Sequence, residues 1–579
     1  MNFFSSMGFT AVSFLAFTVL VAVIAYFYSR NRDMSSESGY YLAGRSLPGI
    51  VIAGSLIMTD LSASQLIGNN GQSVQVGMGV FAAQGFGFSG MILVALLLVP
   101  KYLQSGISTM PEFYELRYDK FTRNLTSIIM MISYIVVFLP STLYAGAQVF
   151  ITIFNVDGML GISYTMAMTI ICVIIAIIGF CYAFFGGLKA IAMSDTINGL
   201  GMLVGGIIIT IAGMIYLSSI LGGDGSFLDG LDKFLHTDPA MMNIINEADS
   251  NEPWWPWPVI LTGLTVNNVY FWGCDQAIVQ RAFGAKSMAH AQKGMIYAGL
   301  LTLITPFFLV LPGIIAKFVF TDMDWATSGD LAFPMLINAV LPRPVLGFFA
   351  ACVFGAIIST FNSYLNSASS IFAINIYSDI IHPEADEKTV VKYGRLFSVV
   401  VAVCATAIAP FLANVNGIFS WMNMALGLFN TPILIITLFA IFSKRAPRYL
   451  GKIIIPIHIV IYLLLNYLLP HVIPFFGTIH YMYYTFVLFI FDVIVSLIVT
   501  KMNPLEEEYT LPNNPPKDMD LSPWKYRIHA SVATLAIVAI IYVIFSPLGF
   551  GKCDETTWER YQNSMDRSAV TCVVDQSVL

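Results

Sequence analysis

Residues 47–68 read LPGIVIAGSLIMTDLSASQLIG, an apolar stretch long enough to cross a bilayer but interrupted near its middle by polar residues. The interruption, Met58-Thr59-Asp60-Leu61-Ser62, brings a carboxylate and two hydroxyls close to mid-bilayer. In hydrocarbon every backbone N–H and C=O group needs an internal partner, so a helix is broken only where it lines a cavity or binds something. We therefore expect a broken membrane helix with a polar site at its break.

A second segment, Val259–Gln276, shows the same pattern later in the chain. Its predicted break is Asn267-Asn268, with Asp275 and Gln276 further along. Paired interruptions in corresponding parts of two halves are typical of a transporter whose binding site lies at the membrane midplane.

The composition excludes a soluble domain. The chain has 579 residues, of which 57% are hydrophobic and 11% charged, and its mean hydropathy is +0.76. It is predicted to be an all-α polytopic membrane protein, with a first helix that is retained because no basic residues or cleavage site accompany it. Apolar runs predict fourteen spans, at 8–29, 47–73, 79–103, 124–152, 160–184, 190–219, 257–278, 288–319, 345–377, 390–413, 416–442, 449–469, 478–500 and 526–547.

The distribution of Lys and Arg predicts the orientation of these spans. With the N-terminus outside, 22 of the 28 basic residues fall in inner loops. Basic residues are retained on the cytoplasmic side, so both termini are predicted to lie outside the cytoplasm, in a plasma membrane or a bacterial inner membrane. The six basic residues on the outer side are Lys233, Lys317, Arg343, Lys552, Arg560 and Arg567.

Two sets of five spans, at 47–220 and 257–442, each begin with a broken helix. An odd number of spans inverts the second set relative to the first, which predicts two inverted repeats. The remaining parts are a first helix with an inner loop (1–46), an outer loop (221–256), three peripheral helices (443–547) and an outer tail (548–579). The acidic outer loop is interpreted as a solvated connector, with a lid as the alternative.

The most specific motif is a Gly-Gly turn before a helix that carries a carboxylate: residues 182–190 read YAFFGGLKA, and Met193-Ser194-Asp195 follow. Further motifs are YLAGRSL at 41–47, LSASQ at 61–65, MPEF at 110–113, and YFWG at 270–273 with IVQR at 278–281. In this order they resemble the sodium/solute symporter family, in particular its sodium/sugar branch and the bacterial sodium/galactose symporters. The resemblance runs from about residue 10 to about 500. It implies a LeuT-type 5+5 inverted repeat that couples sodium to uptake of a small polar solute by alternating access.

The resemblance also implies a sodium site. Na⁺ favours about five or six oxygen ligands, which the carbonyls of an unwound helix and neighbouring hydroxyls supply. The family pattern assigns the carbonyls of Met58, Leu61 and Ala356 and the hydroxyls of Ser359 and Thr360. Taken alone, a Ser-Thr pair in a membrane helix usually bonds back to the preceding turn.

Asp195 is predicted to lie close to the sodium site, as the family has an acidic residue at this position. The alternative is a carboxylate at a helix start, stabilised by the amide dipoles of the first turn.

A sugar needs hydrogen-bonding side chains in several directions and often an aromatic face against its apolar side. The positions that match the family's solute site are Asp60, Gln65, Gln84, Asn268, Thr302 and Asn423. Phe271 and Trp272 are expected to form an aromatic gate on the inner side of the cavity.

This chain departs from the galactose pattern. Bacterial galactose-type members have Glu, Asn, Lys and Tyr where it has Gln84, Asp60, Thr302 and Phe271. The exchanges remove a carboxylate and an amine from one side of the pocket and add a carboxylate near the sodium site. A sugar or polyol is the favoured solute, and an amine-bearing solute attracted to Asp60 is the alternative.

No pattern indicates an enzyme or a nucleic-acid partner, since the seven His show no metal-ligand spacing and no nucleotide-binding loop is present. A proton-coupled carrier that uses Asp60 is a further alternative, and a membrane sensor is disfavoured. The sequence leaves open the sodium stoichiometry, whether the chain forms a homo-oligomer, and whether Cys553 and Cys572 form a disulfide.

Overall fold

A computed structural model describes residues 7–30, 36–246, 255–415, 418–517 and 519–551. Within these ranges eleven helices are long and apolar enough to cross a membrane, and two bent helix pairs raise the number to thirteen. They correspond to thirteen of the fourteen predicted spans. The fourteenth, 257–278, is divided into helices too short to count singly. Cys553 and Cys572, whose pairing the sequence leaves open, lie outside the described residues.

The first repeat consists of five spans, α2 to α6, and is preceded by α1. Their bounds are α1 Met7–Ser29; α2a Gly49–Asp60 and α2b Ala63–Val76; α3a Gly79–Gly85, α3b Gly87–Leu93 and α3c Val99–Ser105; α4a Lys120–Ser133 and α4b Leu139–Phe154; α5 Tyr164–Tyr182; and α6 Gly187–Ile220. Single π-helical stretches, Val94–Leu98 and Tyr134–Phe138, join the parts of α3 and α4.

The second repeat, α7 to α11, is followed by three peripheral helices. Their bounds are α7a Gly263–Cys274 and α7b Gln276–Phe283; α8a Met288–Leu301 and α8b Pro306–Val319; α9 Arg343–Ser370, extended by a π-helical stretch Ile371–Ile381; α10 Glu387–Ile408; α11 Ile418–Phe442; α12 Leu450–Leu463; α13 Tyr481–Met502; and α14 Arg527–Ile544. A short helix, Trp257–Leu261, precedes α7a.

The first predicted break is confirmed. The helix ends at Asp60, and Leu61 and Ser62 leave the helical conformation with ψ angles of 59° and 158°. The Ser62 side chain then caps α2b by accepting a hydrogen bond from the Gln65 N–H at 3.2 Å. The segments on either side are bent by 57°.

The second break was predicted at the wrong residues. α7a continues through Asn267 and Asn268, and the chain leaves the helix at Asp275, where ψ is 123°. Asp275 accepts a hydrogen bond from the Ala277 N–H at 2.8 Å and so caps α7b. The Asn267 side chain bonds to another helix and does not compete for its own backbone, which leaves the helix intact there.

The second span of each repeat is also interrupted, which supports the inverted repeat. α3 changes from one helix to the next at Phe86, and α8 bends by 46° at Thr302–Thr305. The Gly-Gly turn is present as predicted, since Gly187 has a φ of 57° between α5 and α6.

The linker between α13 and α14 is not helical and crosses the side of the molecule where α3, α8 and α11 meet their loops. We call residues 503–526 the strap, of which Asp518 is not described. Its backbone bonds include the Asn514 N–H to the Gln104 carbonyl at 2.9 Å and the Met288 N–H to the Asp520 carbonyl at 3.0 Å. The Trp524 N–H donates to the Gln292 side chain at 2.8 Å. The strap is therefore bonded to both repeats.

Candidate functional site

The first break frees the two carbonyls that were predicted to bind sodium. In a continuous helix the Ser62 N–H would bond to the Met58 carbonyl, but here it donates to the Asp60 carbonyl at 2.6 Å. The Gln65 N–H, which would bond to Leu61, donates to the Ser62 hydroxyl instead. Met58 and Leu61 thus lose their helical donors, and both residues are buried.

The predicted ligands on α9 lie against this break. The Thr360 hydroxyl donates to the Thr59 carbonyl at 3.4 Å, which places it beside the end of α2a. The Ser359 hydroxyl is buried and has no hydrogen-bond partner among the described residues. Ala356 lies within the continuous helix, so only the second lone pair of its carbonyl is available. An unpartnered buried hydroxyl on a helix that contacts this break, together with two freed carbonyls at the break, fits a small hard cation.

Asp195 lies more than two turns inside α6, so it does not cap the start of that helix. Its side chain is fully buried, and its Oδ2 atom accepts a hydrogen bond from the Ser55 hydroxyl at 2.6 Å. The same oxygen lies 3.5 Å from an Arg281 Nη2 atom, and within the described part of the chain the other carboxylate oxygen has no hydrogen-bond partner. The geometry therefore favours the interpretation that Asp195 belongs to the ion-binding region.

One cavity collects all six predicted solute ligands and both predicted gate residues. The nine other lining residues were not predicted as solute ligands or gate residues. These are Gly87, Phe138, Trp255, Leu264, Asn267, Thr305, Met422, Leu426 and Asn430.

The polar groups of the cavity are mainly neutral amides and hydroxyls. The Gln65 Nε2 atom donates to Asp60 Oδ1 at 3.2 Å, which leaves the Gln65 carbonyl oxygen unpaired. The Asn268 amide nitrogen is also buried without a partner among the described residues. Unpaired buried polar atoms are costly, so a ligand or water that pairs with them is favoured.

A chain of amides joins α7a to α11 across the cavity wall. Asn267 Nδ2 donates to Asn423 Oδ1 at 3.3 Å, and Asn430 Nδ2 donates to Asn267 Oδ1 at 2.5 Å. Asn430 has one unpaired carbonyl oxygen, since it uses only its amide nitrogen in this chain. Sequence reasoning missed Asn430 because nothing near it in the sequence shows which helix it faces.

Aromatic rings close the cavity on more than one side. Phe271 and Trp272 lie edge to face with ring centroids 4.9 Å apart. Trp255, from the end of the outer loop, is only 1% exposed, and its Nε1 atom has no hydrogen-bond partner in the ranges that the structure describes. The last residues of the loop therefore reach the cavity, which supports the lid alternative for that part of the loop.

Glycines on α3b allow the cavity walls to approach closely. A Cβ atom at Gly90 would lie 3.0 Å from the Asn268 carbonyl oxygen and 3.2 Å from a ring carbon of Trp272. Only glycine leaves room for this contact, so the small residues after Gln84 serve helix packing as well as space for a ligand.

Comparison with known proteins agrees with this geometry. Residues 40–449 match the model of the sodium:solute symporter family. The chain is 37% identical to an uncharacterized symporter of Escherichia coli, YidK, over 93% of this chain and 91% of that protein. It is 31% identical to a sodium/glucose cotransporter of Vibrio parahaemolyticus, over 76% of this chain and 82% of that protein.

The fold also matches a solved structure. The substrate-bound outward-open state of a sodium-coupled sialic acid symporter superposes with a TM-score of 0.72 at 19% identity, covering 87% of this chain and all of that one. With the family match across most of its length, the chain belongs to the sodium:solute symporter family, and it is a sodium-using multi-pass membrane transporter and not an enzyme.

Proposed function

We propose that this transporter takes up a neutral polyhydroxylated solute, a sugar or polyol, together with sodium. The observation that carries this proposal is the cavity itself, whose lining offers many neutral donors and acceptors, several aromatic rings and a single carboxylate. Hydroxyl groups pair with amides in both donor and acceptor roles, and a ring with an apolar face packs against Trp or Phe. The similarity to a sodium/glucose cotransporter also supports a sugar.

Sodium drives this uptake, and its ligands are the freed carbonyls of Met58 and Leu61 and the groups on α9. Each Na⁺ that moves inward across 100 mV releases about 2.3 kcal/mol, before any concentration gradient is counted. Because its ligands come from both α2 and α9, sodium binds more tightly to the arrangement in which these helices are together. Sodium binding therefore shifts the population toward that state. In this proposal both termini lie outside the cytoplasm.

The test is a thermal-shift series on the purified protein in NaCl or choline chloride. D-Glucose, D-galactose and myo-inositol are compared with small amines at fixed pH. A rise in melting temperature that needs both sodium and one neutral hydroxylated solute supports the proposal. Stabilisation only by an amine, or stabilisation that depends on pH but not on sodium, refutes it.

Asp60 supports the second candidate, a solute with a positively charged amine or a proton-coupled carrier. It is the one carboxylate among the residues that line the cavity. The Asp60→Asn variant separates the candidates, because asparagine keeps the acceptor for Gln65 but removes the charge. Sodium-dependent sugar uptake that stays within about tenfold of the native rate supports the neutral solute. Complete loss of binding favours the amine or the proton.

A further inference from the structure

The motif that contains Arg281 supplies a buried positive charge that the proposed sodium and solute sites do not use. Arg281 lies near the end of α7b, six residues after the break at Asp275, and its side chain is fully buried. A charged side chain inside a membrane protein is costly unless it is paired and hydrogen-bonded, so such residues are usually functional.

The guanidinium group joins four helices. Its Nε atom donates to the Ser55 hydroxyl at 2.7 Å and its Nη2 atom to the Thr59 hydroxyl at 2.6 Å, both on α2a. Nη2 also donates to Ser363 on α9 and lies 3.5 Å from the Asp195 carboxylate on α6. Among the described ion pairs it is the one that has both side chains fully buried and joins the two repeats, since the other fully buried pair, His458 with Asp492, lies on the peripheral helices.

This network is continuous with the proposed sodium site. Ser363 follows Ser359 by one helical turn on α9, and its hydroxyl donates to the Ser359 carbonyl at 2.7 Å. The Thr59 carbonyl accepts from Thr360 while the Thr59 side chain accepts from Arg281. A sodium ion at Ser359 and Thr360 would therefore share Asp195 with the guanidinium, and two positive charges that share one carboxylate repel each other.

The two broken segments are joined to each other and packed together against α9. At their loop ends the Leu47 N–H donates to the Gly284 carbonyl at 2.9 Å, and the Lys286 N–H donates to the Leu47 carbonyl at 3.2 Å. Hydrogen bonds to α9 come from α7b, where Gln280 accepts from the Ser367 hydroxyl at 2.8 Å, and from the loop before α2a, where the Tyr41 and Ser369 hydroxyls lie 3.1 Å apart.

Among these contacts, the one to Asp195 carries full charges on both sides. In transporters of this kind one helix unit rocks against another around the binding site. Any such motion of α2a and α7b away from α6 and α9 must separate the guanidinium from Asp195.

We propose that Arg281 is a positioning residue that holds α2a and α7b against α6 and α9 on the predicted cytoplasmic side, and that competes with sodium for Asp195. This inference rests on the proposed sodium symport. The contact keeps the inner side of the cavity closed. Opening requires that the guanidinium leave Asp195.

The first arm of the test measures opening without sodium or solute. A single cysteine replaces Asn366, a buried residue on α9 less than one turn beyond Ser363, in a variant with the seven native cysteines removed. In choline chloride we expect Arg281→Gln to raise its rate of reaction with N-ethylmaleimide about tenfold. The control is Arg117→Gln. Arg117 is an equally buried arginine that donates to the Ser443 and Ala446 carbonyls, and its loss leaves the rate unchanged.

The second arm measures sodium binding by the rise in melting temperature with NaCl. Removing the guanidinium leaves Asp195 to the ion alone, so Arg281→Gln lowers the sodium concentration at half-effect by about tenfold, and Arg281→Lys restores it toward the native value. A residue that only supports the fold would lower the melting temperature without increasing the affinity for sodium.

An unchanged labelling rate in Arg281→Gln overturns the proposal, as does a weaker affinity for sodium. If Arg281→Gln does not fold, the charge-neutral double variant Asp195→Asn/Arg281→Gln decides through its labelling rate. A native protein with no response to sodium refutes the symport, while the labelling arm still tests the contact.

Discussion

Replacing both Ser359 and Thr360 by alanine is expected to weaken sodium binding by several orders of magnitude with little loss of stability. Ser359 has no hydrogen-bond partner among the described residues, so its hydroxyl contributes little to the fold. The Thr360 hydroxyl makes a long bond of 3.4 Å to the Thr59 carbonyl. Its removal therefore costs at most about 1 kcal/mol of folding free energy.

The effect on the ion is larger because each hydroxyl acts on a full charge. A contact of this kind contributes about 1.5–3 kcal/mol, so two of them contribute about 3–6 kcal/mol. This corresponds to an affinity for sodium that is weaker by a factor of about 10² to 10⁴. The assay is sodium-dependent uptake into proteoliposomes, together with the sodium-dependent thermal shift of the same preparation.

A matched control is the double alanine variant of Thr126 and Ser127. This buried pair on α4a bonds back to its own helix, Thr126 to the Thr122 carbonyl at 2.9 Å and Ser127 to the Arg123 carbonyl at 2.8 Å. It loses two hydroxyls of the same type and keeps its affinity for sodium. The reasoning is refuted if the Ser359 and Thr360 variant keeps a sodium affinity within threefold of the native one.

Three further predictions concern the cavity and the strap. Asn430→Leu breaks the amide chain to α7a and is expected to raise the KM for the solute about 5- to 30-fold. The control is Asn466→Leu, which removes a buried amide on the peripheral helices and is expected to leave KM unchanged. Trp255→Ala removes a ring from the cavity wall and is expected to weaken solute binding while sodium binding persists. The thermal shifts caused by the solute and by sodium measure the two effects. Equal loss of both shifts would contradict this prediction. On the strap, the hydrogen bond from Lys444 at 3.1 Å holds the pKa of Glu508 below its ordinary 4.5. This contact is complete above pH 4.5 and is lost as the pH falls through the lowered pKa of Glu508. Limited proteolysis of the strap should therefore accelerate in acid. The Glu508→Gln variant should remove that pH dependence.

The first break could be predicted because its residues stand out locally. Met58–Ser62 places an acid and two hydroxyls in an apolar run, and the structure ends the helix there. The second could not be placed correctly from composition alone. Asn267 and Asn268 look equally disruptive, but Asn267 is satisfied by Asn423 and Asn430, more than 150 residues away. A local signal was present in Asp275, since an aspartate before a new helix is a common cap.

The solute ligands were predicted through the family resemblance, and the structure brings all six together. The residues that were missed come from parts of the chain whose position depends on tertiary packing. Trp255 stands at the end of the outer loop in the sequence, and only the folded loop shows that it reaches the cavity. Arg281 was noted only as part of a motif, because an arginine beside an apolar segment usually lies in a cytoplasmic loop, and only the fold shows that it is fully buried.

The length of the strap limits how far the two repeats can separate on this side of the molecule. It is bonded to Gln104 in the first repeat and to Met288 and Gln292 in the second, and nine residues separate Asn514 from Trp524, which make the outermost of these bonds. A chain of this length spans at most about 35 Å, since each residue spans at most about 3.5 Å. A longer strap would therefore widen the range of motion on this side. Insertion of a flexible glycine-serine segment near Asp518 would allow the two repeats to separate further on this side without altering any residue of the cavity.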